Sequence, residues 1–279
     1  MDPRAPDAPP GAAAAEVLSL HAGQALARRD LLCEEVPVAL EFNGISHAVM
    51  LATPADLEDF ALGFALTEGI VEHPGEVFDI AAEASAQGIT LRVDIASRRL
   101  QALKLRRRSL AGRTGCGLCG TDSLDQALRP VAPVGTGQRV EPAALARAVA
   151  ALRPLQALFA ATGSVHAAAL CGADGRPLLL REDVGRHNAL DKLVGGAARG
   201  GLDAGAGLIV ISSRASIEMV QKAASTGCTV LAAVSAPTAL AVRAAAQAGM
   251  TLVGRIRGQD MVVYCGAWRL QAPPAAPGP

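Results

Sequence analysis

The sequence predicts a mixed α/β chain, α+β overall: an N-terminal α+β domain followed by a C-terminal three-layer α/β/α domain. Three observations predict it. Two apolar runs flank Asn43-Gly44, a hairpin signal because both turn residues tolerate positive φ. From about residue 165 onward, short β-rich runs alternate with helical stretches. That pattern marks a layered sheet whose ligands sit at the carboxyl ends of its strands. Finally, 51% of the 279 residues are hydrophobic, enough to bury a substantial core and to exclude wholesale disorder.

Residues 1–28 are Pro/Ala-rich and are expected to form a disordered tail, as is the segment 272–279. Between them the chain divides into a domain over 29–140 and a second over 141–271. Val36–Phe42 and Ile45–Leu51 are the hairpin strands. Thr53 is placed to cap a helix with Pro54 in its first turn, where the missing N–H costs nothing. Leu57, Phe60, Ala61 and Phe64 share one face of that helix and Gly69 ends it. Thr90–Ile95 alternates like a strand.

In the second domain an Ala-rich helix covers Pro142–Ala161. Strands at Val165–Leu170 and Leu178–Leu180 flank the turn Gly172–Gly175. A helix over Arg186–Ala198, strand Leu208–Ile211 and a helix over Ala215–Ala224 follow. Strand Thr229–Val234, helix Thr238–Ala248 and strand Met250–Val253 complete the alternation. No internal repeat is visible.

The 26 cationic and 26 anionic side chains cancel, which argues against a bulk polyanion binder. Aromatics at 3% are too few for a surface of stacked bases, so no nucleic-acid partner is expected. Ala223–Val242 carries no charge and is long enough to span a bilayer. Ser225, Thr226, Gly227, Ser235, Pro237 and Thr238 interrupt it, however, and no membrane span is expected. Glu16 breaks the only run near the start that could serve as a signal core, so the expected location is cytoplasmic. Cysteines stand at 33, 116, 119, 171, 228 and 265, and only Cys116 and Cys119 are close in sequence. This is no secreted disulfide framework.

Gly115-Cys116-Gly-Leu-Cys119-Gly120 is the sharpest local feature. Glycines beside both cysteines favour an exposed loop over a rigid helix end. Its approach carries Arg98, Arg99, Lys104, Arg106, Arg107, Arg108 and Arg113, with no acid from Ile95 through Thr121. Positive surroundings favour the thiolate. Three chemistries compete. A zinc knuckle needs two further ligands, and no second C-x-x-C exists. A thioredoxin-like pair needs its first Cys at a helix start in a βαβ context. The third is a thiolate that carries a group, with the second Cys assisting or resolving.

Four polar motifs occupy the second domain. Thr162-Gly-Ser-Val-His166 puts a histidine at the start of an apolar strand. The zinc-deaminase pattern H-x-E is absent, because Ala168 stands where the acid belongs. Asp183-Val-Gly-Arg186-His187-Asn188 crowds polar groups into a first helical turn, where free N–H groups attract anions. Asp191 and Lys192 follow on the same helix. Ser212-Ser213-Arg214, with Met219 and Lys222 beyond it, repeats the strand–Ser/Arg–helix logic. Gly254-Arg255-Ile256-Arg257-Gly258-Gln259-Asp260 is an Arg-bearing loop between strands. Several anion-seeking elements in a neutral domain point to a phosphate-rich small molecule rather than DNA.

In their order and joint presence, these motifs resemble the FdhD-type formate dehydrogenase accessory sulfurtransferases, over about residues 30 to 265. The resemblance implies a cytoplasmic, homodimeric sulfur carrier whose C-terminal domain is similar to the cytidine deaminase fold. It implies that a cysteine desulfurase supplies a persulfide. The sulfur then passes to molybdenum bis(molybdopterin guanine dinucleotide), bound as substrate, before that cofactor enters apo-formate dehydrogenase. Cys116 would bear the persulfide with Cys119 assisting, and Arg255–Asp260 would contact the cofactor. His166, Arg186, His187, Asn188, Ser213, Arg214, Met219 and Lys222 are the further cofactor-binding candidates, and no structural metal is expected. Arg255 stands where the family often has an aromatic residue, so an ionic contact would replace stacking. Two other functions stay open: a non-catalytic cofactor-binding chaperone and a dithiol oxidoreductase. No role is assigned to Cys33, Cys171, Cys228 or Cys265 beyond that of small buried hydrophobes.

Overall fold

The computed structural model describes residues 8–110 and 131–271, with the side chains of 106–110 not described. Three sheets are built in sequence order. Strands β1 (Ala12–His21) and β2 (Gln24–Cys33) pair as an antiparallel ribbon. From Ala12 onward this corrects the expectation of a disordered tail over 1–28; residues 1–7 lie outside the described residues. The alternation of Glu16-Val-Leu-Ser-Leu20 matches a strand, and Ala22 and Gly23 turn the chain with φ of 48° and 84°. Ala-rich composition hid the pairing. The base of the ribbon is held by Ala12, packed on Leu158 and Val165.

A four-stranded sheet follows in the order β4-β3-β6-β5, from β3 (Val36–Phe42), β4 (Ile45–Ala52), β5 (Val77–Ser85) and β6 (Gly88–Ile95). The Asn43-Gly44 turn is as predicted, with both residues at positive φ. The parallel pairing of β3 with β6 is a long-range contact that no local pattern announces. Alternate residues Val38, Leu40, Phe42, Leu91, Val93 and Ile95 point into one core with Phe60 and Phe64 of helix α1 (Leu57–Thr67). Thr53 does not cap α1. Asp56 occupies the cap position at φ 51°, and Thr53 is turned away into a different contact, described below. Helix α2 (Ser97–Leu110) carries the basic run.

The second domain is a six-stranded sheet in the order β12-β11-β10-β9-β7-β8. Its strands are β7 (His166–Cys171), β8 (Pro177–Asp183), β9 (Leu208–Ile211), β10 (Val230–Ala233), β11 (Thr251–Arg257) and β12 (Asp260–Cys265). The central β9, β10 and β11 are parallel, and the outer pairs are antiparallel. Period-two alternation sends successive residues to opposite faces. Leu208, Val210, Val230, Ala232 and Val253 pack towards helix α3 (Pro142–Leu155). Ile209, Ile211, Leu231 and Leu252 pack towards α5 (Arg186–Arg199), α6 (Ile217–Ser225) and α7 (Ala239–Gln247). The single helix expected over 142–161 is broken at Gln156 (φ −85°, ψ 79°) into α3 and a short α4 (Ala157–Thr162). Pro154 in the last turn of α3 lacks the N–H a continuous helix needs and crowds the carbonyl four residues back.

The uncharged stretch 223–242 is divided among the end of α6, β10 and the start of α7. Among the described residues, no helix is long and apolar enough to cross a membrane.

The domains meet along α1 and α5. Ion pairs with at least one buried partner line this seam: Asp59 with Arg181 and Arg199, Lys222 with Asp191 and Glu68, and Lys192 with Asp183. Thr53, fully buried, joins the last pair. Its N–H donates to Asp183 Oδ2 (3.0 Å) and its carbonyl accepts from Lys192 Nζ (2.9 Å). Its hydroxyl accepts the Val184 N–H (3.1 Å).

Candidate functional site

The topology gathers polar groups at one edge of the large sheet. Strands β9, β10 and β11 end there, and β7, antiparallel to β9, begins there with His166. His166 pairs with Asp183 at the end of β8, and α5 starts three residues later. The N–H of Ser212 donates to Ala167 O and its hydroxyl accepts from Ala167 N, both at 2.9 Å. The hydroxyl proton of Ser212 is therefore left free to donate elsewhere.

The β11–β12 hairpin overhangs this edge. Gly254–Arg257 belongs to β11 rather than to a loop, and Gly258 and Gln259 make the turn. A bulge interrupts the pairing between Gly254 and Arg257, and Arg255 sits at φ 54°, an uncommon value for a side-chain-bearing residue. The bulge leaves Arg255 and Arg257 exposed, along with Gly258, Gln259 and Asp260. Ile256 is 2% exposed and packs in the core beneath, which removes it from the cofactor-binding candidates.

His166, Arg186 and His187 form the electrostatic centre of the edge. Burial, then the Arg186 charge, lowers the pKa of His166 against an opposing pull from Asp183. His187 is pushed down to about 4 by burial, then by the charges of Arg186 and Lys222. Both imidazoles are therefore neutral at pH 7. Among the described residues neither Arg186 Nε nor His187 Nε2 finds a hydrogen-bond partner, although both atoms are buried. The backbone N–H groups opening α5 have no side-chain cap at Gly185.

Four other candidates leave the site. Asn188 is buried and donates to Leu51 O (2.8 Å) and Asp183 Oδ1 (3.0 Å), tying the two domains. Met219 is fully buried in the core. Lys222 is held in the seam by both Asp191 oxygens (2.9 Å each), Glu68 (2.8 Å) and Thr67 (3.0 Å). Burial alone would lower its pKa, but Asp191 and Glu68 outweigh that and hold it raised. Ser213 is buried with its hydroxyl on Arg214 O, whereas Arg214 is exposed and faces outward. Asn188 and Lys222, expected to meet a ligand, instead meet the other domain, and Met219 meets the core.

Cys116 and Cys119 lie outside the described residues. What precedes them is less cationic than the sequence suggests. Arg98 and Arg99 both bind Glu76, and Arg99 also binds Glu72. Burial opposes ionisation of Glu76, but the Glu72 N–H, Arg99 and Arg98 hold its carboxyl down at about 2. Lys104 remains exposed on α2. The segment returning from the cysteines runs along the opposite edge of the large sheet. Val134 N–H donates to Ala248 O (2.9 Å), and Arg269, 1% exposed, donates to the carbonyls of Gly135 and Thr136.

The four described cysteines are held as thiols. Burial pushes Cys171 up to about 12 and Cys228 to about 11, and it also raises Cys33 and Cys265.

Sequence reasoning missed a cleft of about 380 Å³ beside His166, lined by Arg153, Gln156, Phe159, Gly163, Ser164, Val165, His166 and Ser212. The polar Gln156 directly after Pro154-Leu155, inside an apolar helical run, was the available signal.

Residues 33–271 match the model of the FdhD/NarQ family. The chain is 54% identical over 259 residues to the sulfur carrier protein FdhD of Variovorax paradoxus, covering 93% of each chain. It is 55% identical over 249 residues to that of Cupriavidus necator, covering 89% of this chain and 86% of the relative. A crystal structure from Desulfotalea psychrophila, described as that of a candidate formate dehydrogenase accessory protein, superposes with a TM-score of 0.75. It has 22% identity and covers 94% of this chain and all of its own, a likeness of fold. From its sorted motifs and this extent of match, the chain belongs to the FdhD/NarQ family.

Proposed function

We propose that this protein is a sulfur carrier for formate dehydrogenase maturation, with Cys116 as the persulfide-bearing residue. The observation that carries the proposal is the likeness, over nearly the whole chain, to relatives named as sulfur carrier proteins. The thiol chemistry supports it, because burial keeps Cys33, Cys171, Cys228 and Cys265 protonated and poorly nucleophilic. The remaining pair, Cys116 and Cys119, stands between glycines.

In the acceptance step, the Cys116 thiolate attacks the outer sulfur of a persulfide on a cysteine desulfurase. The donor S–S bond breaks, its electron pair leaves with the desulfurase thiolate, and Cys116 becomes the persulfide. In the delivery step, the Cys119 thiolate attacks the inner sulfur. Hydrosulfide leaves towards the acceptor and a Cys116–Cys119 disulfide remains, which a cellular dithiol must reduce.

The acceptor we infer is molybdenum bis(molybdopterin guanine dinucleotide), bound as substrate at the carboxyl edge before it enters apo-formate dehydrogenase. The exposed Arg214, Arg255 and Arg257, the buried Arg186 Nε, unpaired among the described residues, and the start of α5, which no side chain caps at Gly185, suit its phosphates. Asp260 is the one acid among the hairpin residues that would meet it.

Mass spectrometry of the protein after incubation with desulfurase and cysteine tests the assignment. One added sulfur on the Cys116 peptide, absent from Cys116→Ala, is the expected result. A persulfide that persists elsewhere in Cys116→Ala removes Cys116 from the role. Normal maturation of formate dehydrogenase by Cys116→Ala would favour a non-catalytic chaperone instead.

A further inference from the structure

Helix α2 carries six cations and no acid, on a protein whose charges cancel overall. Its first turn is spent on anchoring. Arg99 Nε donates to both Glu76 oxygens (2.8 Å each), and Arg98 binds the same carboxylate. The Glu76 carbonyl accepts the Ala96 N–H (2.9 Å), and Arg99 also binds Glu72. One turn on, Leu103 is buried and packs in the core beneath the four-stranded sheet. The helix is thereby fixed to its sheet. The remaining cations, Lys104, Arg106, Arg107 and Arg108, follow the anchor in sequence. Lys104 is exposed, and Leu105 beside it is 64% exposed. At the root of the helix Phe78, in the β5 bulge against Asp94 and Ile95, is 71% exposed. A merely solvated charged face needs neither a rigid root nor bare apolar side chains. Apolar spots within a charged rim are the composition of a protein-docking surface.

Position identifies the partner. Cys116 follows the last residue of α2 by six residues, a tether of at most about 20 Å. A protein held on α2 is therefore kept within reach of that thiol, which raises the effective concentration of the two. Sulfur transfer also brings two anions together, the Cys116 thiolate and the persulfide of the donor, and neighbouring cations offset their repulsion. A nucleic acid would ask for a basic surface that continues beyond one helix and for aromatic stacking, and the chain is neutral with 3% aromatics. We propose that α2 is the docking helix for the protein that donates sulfur to Cys116, a partner presenting an acidic surface with an apolar spot to Lys104 and Leu105. The inference rests on the carrier function proposed above and adds the surface on which the donor lands.

Single-turnover transfer from a persulfidated cysteine desulfurase to the full-length protein, read by mass spectrometry of the Cys116 peptide, tests it. Lys104→Glu should lower the second-order rate at least about threefold in about 50 mM salt, and the difference should close near ~0.5 M, where steering is screened. Leu105→Ser should slow transfer about threefold at every salt concentration, because an apolar contact is not screened. Alkylation of Cys116 by iodoacetamide, which is neutral and needs no docking, should stay within about twofold of wild type in both variants. Arg176→Glu, the same charge reversal in the exposed β7–β8 turn, should transfer like wild type. Wild-type transfer by both α2 variants, or equal slowing by Arg176→Glu, overturns the docking helix and leaves the carrier chemistry standing. Parallel slowing of alkylation overturns it as well, because the helix then acts on the thiol itself. So does binding of a short DNA duplex that Lys104→Glu abolishes. A wild type that takes no sulfur at all sinks the carrier reading, and the docking helix with it.

Discussion

Gly63 on α1 and Gly195 on α5 stand face to face at the crossing of the two helices. A Cβ on Gly63 would fall 1.7 Å from Asp191 O, and one on Gly195 would fall 1.8 Å from Asp59 O. No rotamer change relieves a clash with backbone, so the helices must part. Parting them stretches every ion pair of the seam, including Lys222 to Asp191. Overpacking alone typically costs about 1–3 kcal/mol, and with the seam disturbed Gly195→Ala should lose at least about 3 kcal/mol. Urea denaturation measures this directly. An unchanged midpoint would mean that the domains do not meet here by backbone contact.

The Lys192–Asp183 pair makes a second, separable prediction. Both side chains are fully buried, 2.6 Å apart, and Thr53 adds two hydrogen bonds from the other domain. Removing one partner strands a charge, at a cost of about 3–5 kcal/mol, whereas removing both leaves little to strand. Lys192→Met should therefore be far less stable than wild type, and Lys192→Met with Asp183→Leu should recover part of the loss. A double variant no better than the single one would show that packing, not charge, sets the cost.

The same pair shows where sequence reasoning reached and where it stopped. Strand β9 and the Asn43-Gly44 hairpin were legible because local periodicity and turn chemistry specify them. So was the order of strands and helices in the second domain from β7 to the start of β11. The polar run from Asp183 to Lys192 was legible as unusual for a core, but its destination was not. Whether Asn188, Lys192 and Lys222 meet a ligand or a neighbouring domain depends on contacts more than a hundred residues away, such as Thr53 with Lys192 and Glu68 with Lys222. The cleft was hidden for a related reason. Arg153, Gln156 and Phe159 belong to a run that reads as one helix, and only the break at Gln156 brings them beside His166.

Arg269 predicts how the cysteine segment is anchored on its return side. Its buried guanidinium has no carboxylate partner among the described residues. It is satisfied by the carbonyls of Gly135, Thr136 and Gly249 and by Thr251. Arg269→Met keeps much of the volume and removes these bonds. Amide hydrogen exchange over residues 131–140 should rise at least tenfold, with little change in β9 and β10. Unchanged protection at Val134 would show that the apolar contacts of Val131 and Val134 suffice.

His187 supplies a pH dependence whose sign is fixed by burial. Its folded pKa is lowered to about 4 from 6.5, first by desolvation and then by the neighbouring charges of Arg186 and Lys222. Above pH 6.5 the ring is neutral in both folded and unfolded states, and the full stability is present. As pH falls from 6.5 towards 4 the unfolded chain takes up a proton that the folded chain refuses, so stability declines, and it levels off below the folded value. At ~1.4 kcal/mol per unit the ceiling is about 3 kcal/mol, reduced to about 2 because the ring is only partly buried. The window between pH 6.5 and 5 isolates this effect, since ordinary carboxylates there are still ionised. Urea midpoints across that window should fall in wild type and fall less in His187→Gln. Parallel profiles for the two proteins would mean that another group, with His166 first in line, takes up the proton.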